Sequence, residues 1–477
     1  MNLRNVLKNM GAAAGAQGVS FATSILMSLL VPKVLGVTEF GYWQLFVFYF
    51  NYVGAFQLGL NDGVYLLKGG SSRANLDKSE VTSQLSFGLF FQSLMAVAVM
   101  VFAVISQQGP ERTFVLVACA ILMPLYNAAC YFQYLLQAID ETRLYSKSIV
   151  VDRAVFMVAL LALLCIRCQA FEWYVYAFCV GKLACLAYLL AHTRDILSRR
   201  LYPLSRAARC SLDSISVGIK LMFANLASSL ILGVMRFVVD ACWGIEVFGS
   251  VSLALSMANF FLTFVTQVTM VLFPTLRKMD KNDLASFFSR VQNALEVMLP
   301  GILLLYLPIR SILGWWLPAY ESSFEYLGLI LPLCLFDGKM SALYTTFFKV
   351  RRMEGTLFEL NAITMFLSGA CALVGAYVLH SVEFVLVSCS CAVMLRGIVS
   401  RRILSNDVLG HYEARWGEVI LSAVFYLSFA LLGDLSALGT YVLAYAAYLV
   451  VAKEQLYAFM RDVTKVFGTV LYRGPKA

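Results

Sequence analysis

Apolar residues run along this chain in long, nearly unbroken stretches separated by short polar breaks. A helix crossing the hydrocarbon core of a bilayer needs about 20 mostly apolar residues, and fourteen stretches meet that length. They lie near 11–34, 42–63, 81–106, 113–139, 149–166, 171–191, 213–239, 246–273, 293–313, 326–348, 357–379, 384–400, 418–435 and 437–452. The fifth opens with Asp152 and Arg153, and only Asp434, Leu435 and Ser436 separate the last two. Barrel strands would alternate over about 9–11 residues, so the pattern predicts an all-α integral membrane protein.

The polar breaks test the orientation. Of 37 Lys and Arg, only Lys33, Arg112, Arg167 and Arg310 fall in outer loops, and Lys182, Lys220, Arg236, Lys339 and Arg396 fall within spans. The others gather in alternate loops and at both ends, so both termini are expected in the cytoplasm. The first apolar run has the length of a span and lacks a small-x-small cleavage site, so it is expected to remain as the first helix. Composition agrees: 60% hydrophobic and 14% charged, against about 45–50% and 25% in soluble domains. That excludes a soluble enzyme, a disordered regulator and a nucleic-acid-binding domain, and makes the net charge of +9 a matter of topology.

The chain also repeats. Gly36-Val37-Thr38-Glu39-Phe40-Gly41 precedes the second stretch, and Gly244-Ile245-Glu246-Val247-Phe248-Gly249 precedes the eighth. An even number of spans between copies predicts parallel six-helix lobes, related by an axis along the membrane normal, facing a central cavity. The expected division is an N-lobe over 1–191, a basic linker over 192–212, a C-lobe over 213–404, two added helices over 418–452 and a basic tail over 453–477.

Val31-Pro32-Lys33-Val34-Leu35-Gly36 through Phe40-Gly41-Tyr42, followed by Leu58-Gly59-Leu60-Asn61-Asp62-Gly63, resembles the opening of the Wzx-type O-antigen and capsular polysaccharide flippases. These belong to the multidrug/oligosaccharidyl-lipid/polysaccharide (MOP) exporter superfamily. The resemblance implies a bacterial inner-membrane protein that turns over an undecaprenyl-pyrophosphate-linked oligosaccharide by alternating access, without ATP or any cofactor. It also implies a polysaccharide polymerase and a chain-length regulator as partners. The family's adjacent Asp-Arg on helix seven corresponds to Met235-Arg236 here, with the acid at Asp240, and its basic residue after helix two corresponds to Lys68.

A Lys, Arg or Asp at the centre of a lipid-facing helix costs about 2.5–3.5 kcal/mol, so most in-span charges must face protein or water. Arg236 and Asp240 are one helical turn apart and can pair. Asp337 and Lys339, two apart, point in different directions. Lys220 and Arg396, nearer the inner ends, can snorkel. Lys182 reads best as a structural residue.

Five in-span cations against two carboxylates leave a positive excess that an anionic passenger would offset. Arg236 and Lys220 are therefore candidates for the pyrophosphate, with Asp240 holding or releasing Arg236. The amides Gln17, Asn51, Asn225, Asn259 and Gln267 are candidates for sugar contact, and each can equally join helices. Asp337, Asp240 and Lys339 are candidates for proton or sodium coupling. Trp315, Trp316 and Tyr320 read as interfacial anchors.

The chain lacks a P-loop, a metal cluster and a large charged outer loop, which argues against an enzyme and against nucleotide binding. His192, His380 and His411 are all in loops, and Cys165-x-x-Cys168 reads as an incidental pair. Two other readings are a multidrug antiporter of the same superfamily, which would need a carboxylate-rich cavity, and a membrane scaffold for polysaccharide enzymes.

Overall fold

The computed structural model describes residues 18–198, 200–276, 281–411, 415–455 and 457, without the side chains of 264–276 and 281–282. Among these residues the secondary structure is helical, with no strand. The helices are α1 (Gly18–Leu35), α2 (Val37–Val53), α3 (Leu60–Leu67), α4 (Lys78–Ile105), α5 (Pro110–Ala138), α6 (Thr142–Cys165), α7 (Phe171–Thr193) and α8 (Leu204–Leu276). They continue with α9 (Lys281–Met298), α10 (Tyr306–Trp316), α11 (Glu321–Ile330), α12 (Leu333–Val350), α13 (Glu354–Tyr377), α14 (Val382–Leu409), α15 (Gly417–Leu431) and α16 (Asp434–Val451).

Ten helices among the described residues are long and apolar enough to cross a membrane, or eleven if a pair bent by 55° around residues 331–332 counts as one span. The chain is a multi-pass membrane protein. Fourteen stretches were expected, and three features account for the difference. α8 runs through two of the stretches, with non-helical backbone inside it only at Gly244. α2, at 17 residues, stops at a short 3-10 turn before α3, and α15 has only 15 residues.

Local chemistry sets the helix ends. Pro110 opens α5, where its missing N–H costs nothing. The Asp77 carboxylate caps the backbone N–H groups of Ser79 and Glu80 at the start of α4. Pro300 ends the α-helical run of α9 and leaves the Glu296 carbonyl without its helical donor. Tyr448 of α16 donates its hydroxyl to that carbonyl at 3.2 Å, and Tyr445 and Tyr441 do the same for Val297 and Pro300 at 2.7 and 2.8 Å. These three hydroxyls fasten α16 to the proline break.

The chain divides into two compact units, residues 1–226 with 243–249, and residues 227–242 with 250–477. In unit 1 the core of rings is built on Trp43, Phe46, Phe50, Phe156, Tyr174 and Phe178, mostly in edge or tilted contact. Unit 2 has a core around Phe288, Tyr344, Phe347 and Leu404.

The repeated hexapeptides share a conformation and meet within unit 1. Gly36 has φ 76°, ψ 171° and Gly244 has φ 80°, ψ −173°, a region open to glycine and strained for other residues. Thr38 donates to Glu246, its own repeat equivalent, at 2.7 Å. A Cβ on Gly249 would lie 2.8 Å from the Cα of Gly41, again its equivalent. Equivalent positions touching each other are what a local two-fold relation between copies produces.

Candidate functional site

The in-span charges are the starting point, and most of them already have partners. In unit 1, Lys182 of α7 donates to Asp152 of α6 at 2.6 Å. The rings of Phe178, Tyr126 and Phe50 lie 4.8, 5.5 and 5.8 Å from its ammonium, within cation–π range. Gly181 makes the pairing possible, because a Cβ there would stand 2.9 Å from the Asp152 carbonyl. Asp62 of α3, also buried, accepts from Gln57 at 2.9 Å.

In unit 2, Asp337 and Lys339 reach different helices, as their spacing requires. Asp337 accepts from Arg396 of α14 at 2.5 Å, and Arg396 also donates to Asn361 at 3.2 Å. Lys339 donates to Glu418 of α15. Arg396 is 5% exposed, so the snorkelling expected of it gives way to a buried ion pair. Farther along, Glu296 receives both Arg401 and Arg415, at 3.2 and 3.1 Å.

These pairs correct the charge count. Three of the five in-span cations hold carboxylates, and Asp62 and Asp240 are further buried acids. The positive excess expected from the sequence is therefore not retained. Asp152 and Glu418 sit where span edges were drawn, so the count missed them.

The other candidates are placed as follows. Arg236, half-buried, donates to the Ser252 hydroxyl at 2.8 Å, and Asp240, one turn on, is buried. Lys220, Asn51, Asn225 and Asn259 all lie on long helices with exposed side chains. Gln17 and the side chain of Gln267 lie outside the described residues, as does the tail beyond residue 457. Lys68 pairs with Glu80 at 2.7 Å. Trp315 is exposed, as an anchor must be, but Tyr320 is 2% exposed and so packs in the core instead. Cys165 and Cys168 are free thiols.

The glycines of the Leu58–Gly63 motif carry a contact that the sequence did not reveal. A Cβ on Gly63 would lie 1.8 Å from the Ser214 carbonyl oxygen, and one on Gly218 would lie 2.0 Å from the Gly59 carbonyl oxygen. Backbone thus meets backbone where α3 crosses the first part of α8, within unit 1.

No protein-family model and no curated protein sequence matches the chain. Solved structures do. A lipid II flippase MurJ in an inward closed conformation superposes with a TM-score of 0.67 at 10% identity, over 93% of this chain and 99% of that one. An inward-facing multidrug resistance MATE family transporter of the MOP superfamily gives 0.59 at 11%, over 81% and 95%. A MOP superfamily transporter from Pyrococcus furiosus, described as having a binding pocket of reverse polarity, gives 0.50 at 12%, over 83% and 94%.

The chain shares its overall fold with these solved transporters. Within that fold, the residues that sequence reasoning missed are the acids Asp152, Glu296 and Glu418 and the cations Arg401 and Arg415. A rule pairing each deep cation with an acid at the end of another span would have found Asp152 and Glu418. Nothing in the local sequence marks Glu296 as the shared partner of two arginines.

Proposed function

We propose that this protein is a flippase that carries an undecaprenyl-pyrophosphate-linked oligosaccharide repeat unit across a bacterial inner membrane by alternating access, for O-antigen, capsule or exopolysaccharide assembly. In this reading both termini are cytoplasmic, and the lobes are those expected from the sequence. One observation carries it: Lys220, Asn51, Asn225 and Asn259 are exposed on apolar helices. Facing lipid, an ammonium and three amides would be costly. Facing water, each offers hydrogen-bonding groups that suit a glycan. Likeness in fold to a lipid II flippase over nearly its whole length supports the same reading.

Arg236 and Lys220 attract the pyrophosphate, the guanidinium through its forked donors, and the amides contact sugar. Asp240 positions Arg236. Asp240, Asp337 and Lys339 remain the coupling candidates, the last two holding Arg396 and Glu418. Alternating access then needs a close contact that parts and re-forms, and the Gly63–Ser214 and Gly59–Gly218 crossing is our choice for it.

The test is reconstitution in liposomes with a fluorescent undecaprenyl-pyrophosphate-linked sugar. The wild type is expected to accelerate flipping, with Arg236→Ala slower by roughly tenfold or more, the size of a lost charge-assisted contact. Wild-type liposomes no faster than protein-free ones would overturn the reading. The multidrug alternative, which rests on likeness to the MATE fold, predicts drug efflux from the same liposomes instead.

A further inference from the structure

Unit 1 holds a buried carboxylate, Asp62, that the transport reading does not use. It stands at a break inside one of the apolar stretches: α2 stops at Val53, a 3-10 turn covers Gly54–Gln57, and α3 begins at Leu60. Leu58 and Gly59, between turn and helix, have φ of 54° and 85°. A leucine adopts that left-handed conformation rarely, and it persists only where neighbours enforce it.

A connected set of polar side chains enforces it here. Gln57 accepts from the Asn61 backbone N–H at 2.5 Å through Oε1 and donates to the Asp62 carboxylate at 2.9 Å through Nε2. Asn61 Nδ2 donates to the backbone carbonyl of Asn127 on α5 at 3.4 Å, and Asn127 Nδ2 donates to the Val53 carbonyl at 3.2 Å. Asn61, Asp62 and Asn127 are 2%, 3% and 1% exposed.

Two members of this set lack a counterpart. Among the described residues Asp62 has Gln57 as its side-chain partner and no cation, because Lys182, the deep cation of unit 1, holds Asp152. Asn127 Oδ1 is buried with no hydrogen-bond partner, and it shares its amide with the nitrogen that bonds the break. An unbalanced buried charge is costly, and so is an orphaned acceptor.

A small metal cation answers both demands. Hard cations take oxygen ligands, and discontinuous membrane helices supply backbone carbonyls to such ions. A proton would discharge Asp62 but provides only one bond, whereas a metal ion bridges several oxygens. One carboxylate offsets one positive charge, which favours a monovalent ion over a divalent one.

We propose that Asp62, Asn127 Oδ1 and the Val53 carbonyl form a site for a monovalent metal cation of the sodium class, separate from Arg236 and independent of the transported cargo. The bound ion fixes the turn that sets Gly59 and Gly63 against the first part of α8.

The experiment uses the purified full chain in neutral detergent. Thermal unfolding is followed in sodium chloride against N-methyl-D-glucamine chloride at matched ionic strength and pH, and binding of radiolabelled sodium to the wild type is measured directly. A saturable stabilisation by sodium and a saturable uptake of label are expected.

Asp62→Asn should weaken the apparent sodium affinity about tenfold or more, the scale of a lost charged contact, and should melt no lower than the wild type without sodium, because the unbalanced charge is gone. Asp152→Asn should lower the melting temperature yet keep the sodium response. Absence of both stabilisation and bound label in the wild type would overturn the proposal. So would a sodium response that survives unchanged in Asp62→Asn, or a wild type stabilised by acid alone and equally in both salts, which would make Asp62 a proton site. Because Arg236→Ala is expected to slow flipping without touching the sodium response, failure of one proposal is distinguishable from failure of the other.

Discussion

The two units bury cations in different ways. Unit 1 gives Lys182 one carboxylate, brought close by tight packing of α6 on α7, and three rings from α2, α5 and α7. Unit 2 uses a network instead: Lys339 with Glu418, Arg396 with Asp337, and Arg401 and Arg415 on Glu296. The ring arrangement gathers α2, α5, α6 and α7 around a single ammonium. The network reaches from α9, α12 and α14 to α15, so it fixes where an added helix docks. Buried ion pairs contribute little net stability but are costly to break, which suits them to specifying register. In unit 2 the tyrosine hydroxyls of α16 on the proline break extend the same docking.

The largest expected effect breaks the network side of this comparison. Glu296→Ala takes from buried Arg401 its carboxylate at 3.2 Å, and losing one partner of a buried pair costs about 3–5 kcal/mol. Its melting temperature should fall furthest among single variants. Adding Arg401→Met should restore part of the loss, because the buried charge that Glu296 offset is gone. A double variant no more stable than the single one would mean that the carboxylate is not what the arginine needs.

Asp152→Ala tests the other side and should cost less, on the order of 2 kcal/mol, because three cation–π contacts of about 0.5–2 kcal/mol each remain around Lys182. The readout is the same thermal unfolding. If Asp152→Ala destabilises more than Glu296→Ala, the rings do not compensate, and the contrast between the units disappears.

How much of this was legible in the sequence differs by level. Helices, their membrane length and the Gly36/Gly244 repeat could all be read, because apolar run length and glycine spacing are local properties. The partners of the deep charges could not. Lys182 and Asp152 are brought together by helix packing, and Lys339 meets Glu418 far along the chain, so a count restricted to span interiors missed the acids and found an excess. Tyr320 failed as an anchor for the same reason, since aromatic identity does not say which face is buried. Asn51, Asn225 and Asn259 stand out in the sequence as polar residues in apolar runs, and their side chains are exposed.

The smallest expected effect lies at the polar rim of unit 1, outside the membrane-spanning segments, where charge is exposed and pH can reach it. Asp77 accepts from the Tyr202 hydroxyl at 2.5 Å and caps Ser79 and Glu80 at 2.9 and 3.1 Å. The Tyr202 hydrogen bond and these backbone N–H groups hold its carboxyl below the ordinary value. A depressed carboxylate stabilises the fold fully above its unfolded pKa, about 3.9, and that contribution is lost as pH falls through the lower folded value. Because the group is largely exposed, solvent screening limits the effect to about 0.5–1 kcal/mol. Hydrogen exchange at the Ser79 and Glu80 amides should therefore speed up only below about pH 4. Asp77→Asn should keep most of the cap and lose that acid dependence. An acid limb that persists in Asp77→Asn would place the titrating group elsewhere, and the contrast between a screened rim in unit 1 and a buried network in unit 2 would need a different carboxylate.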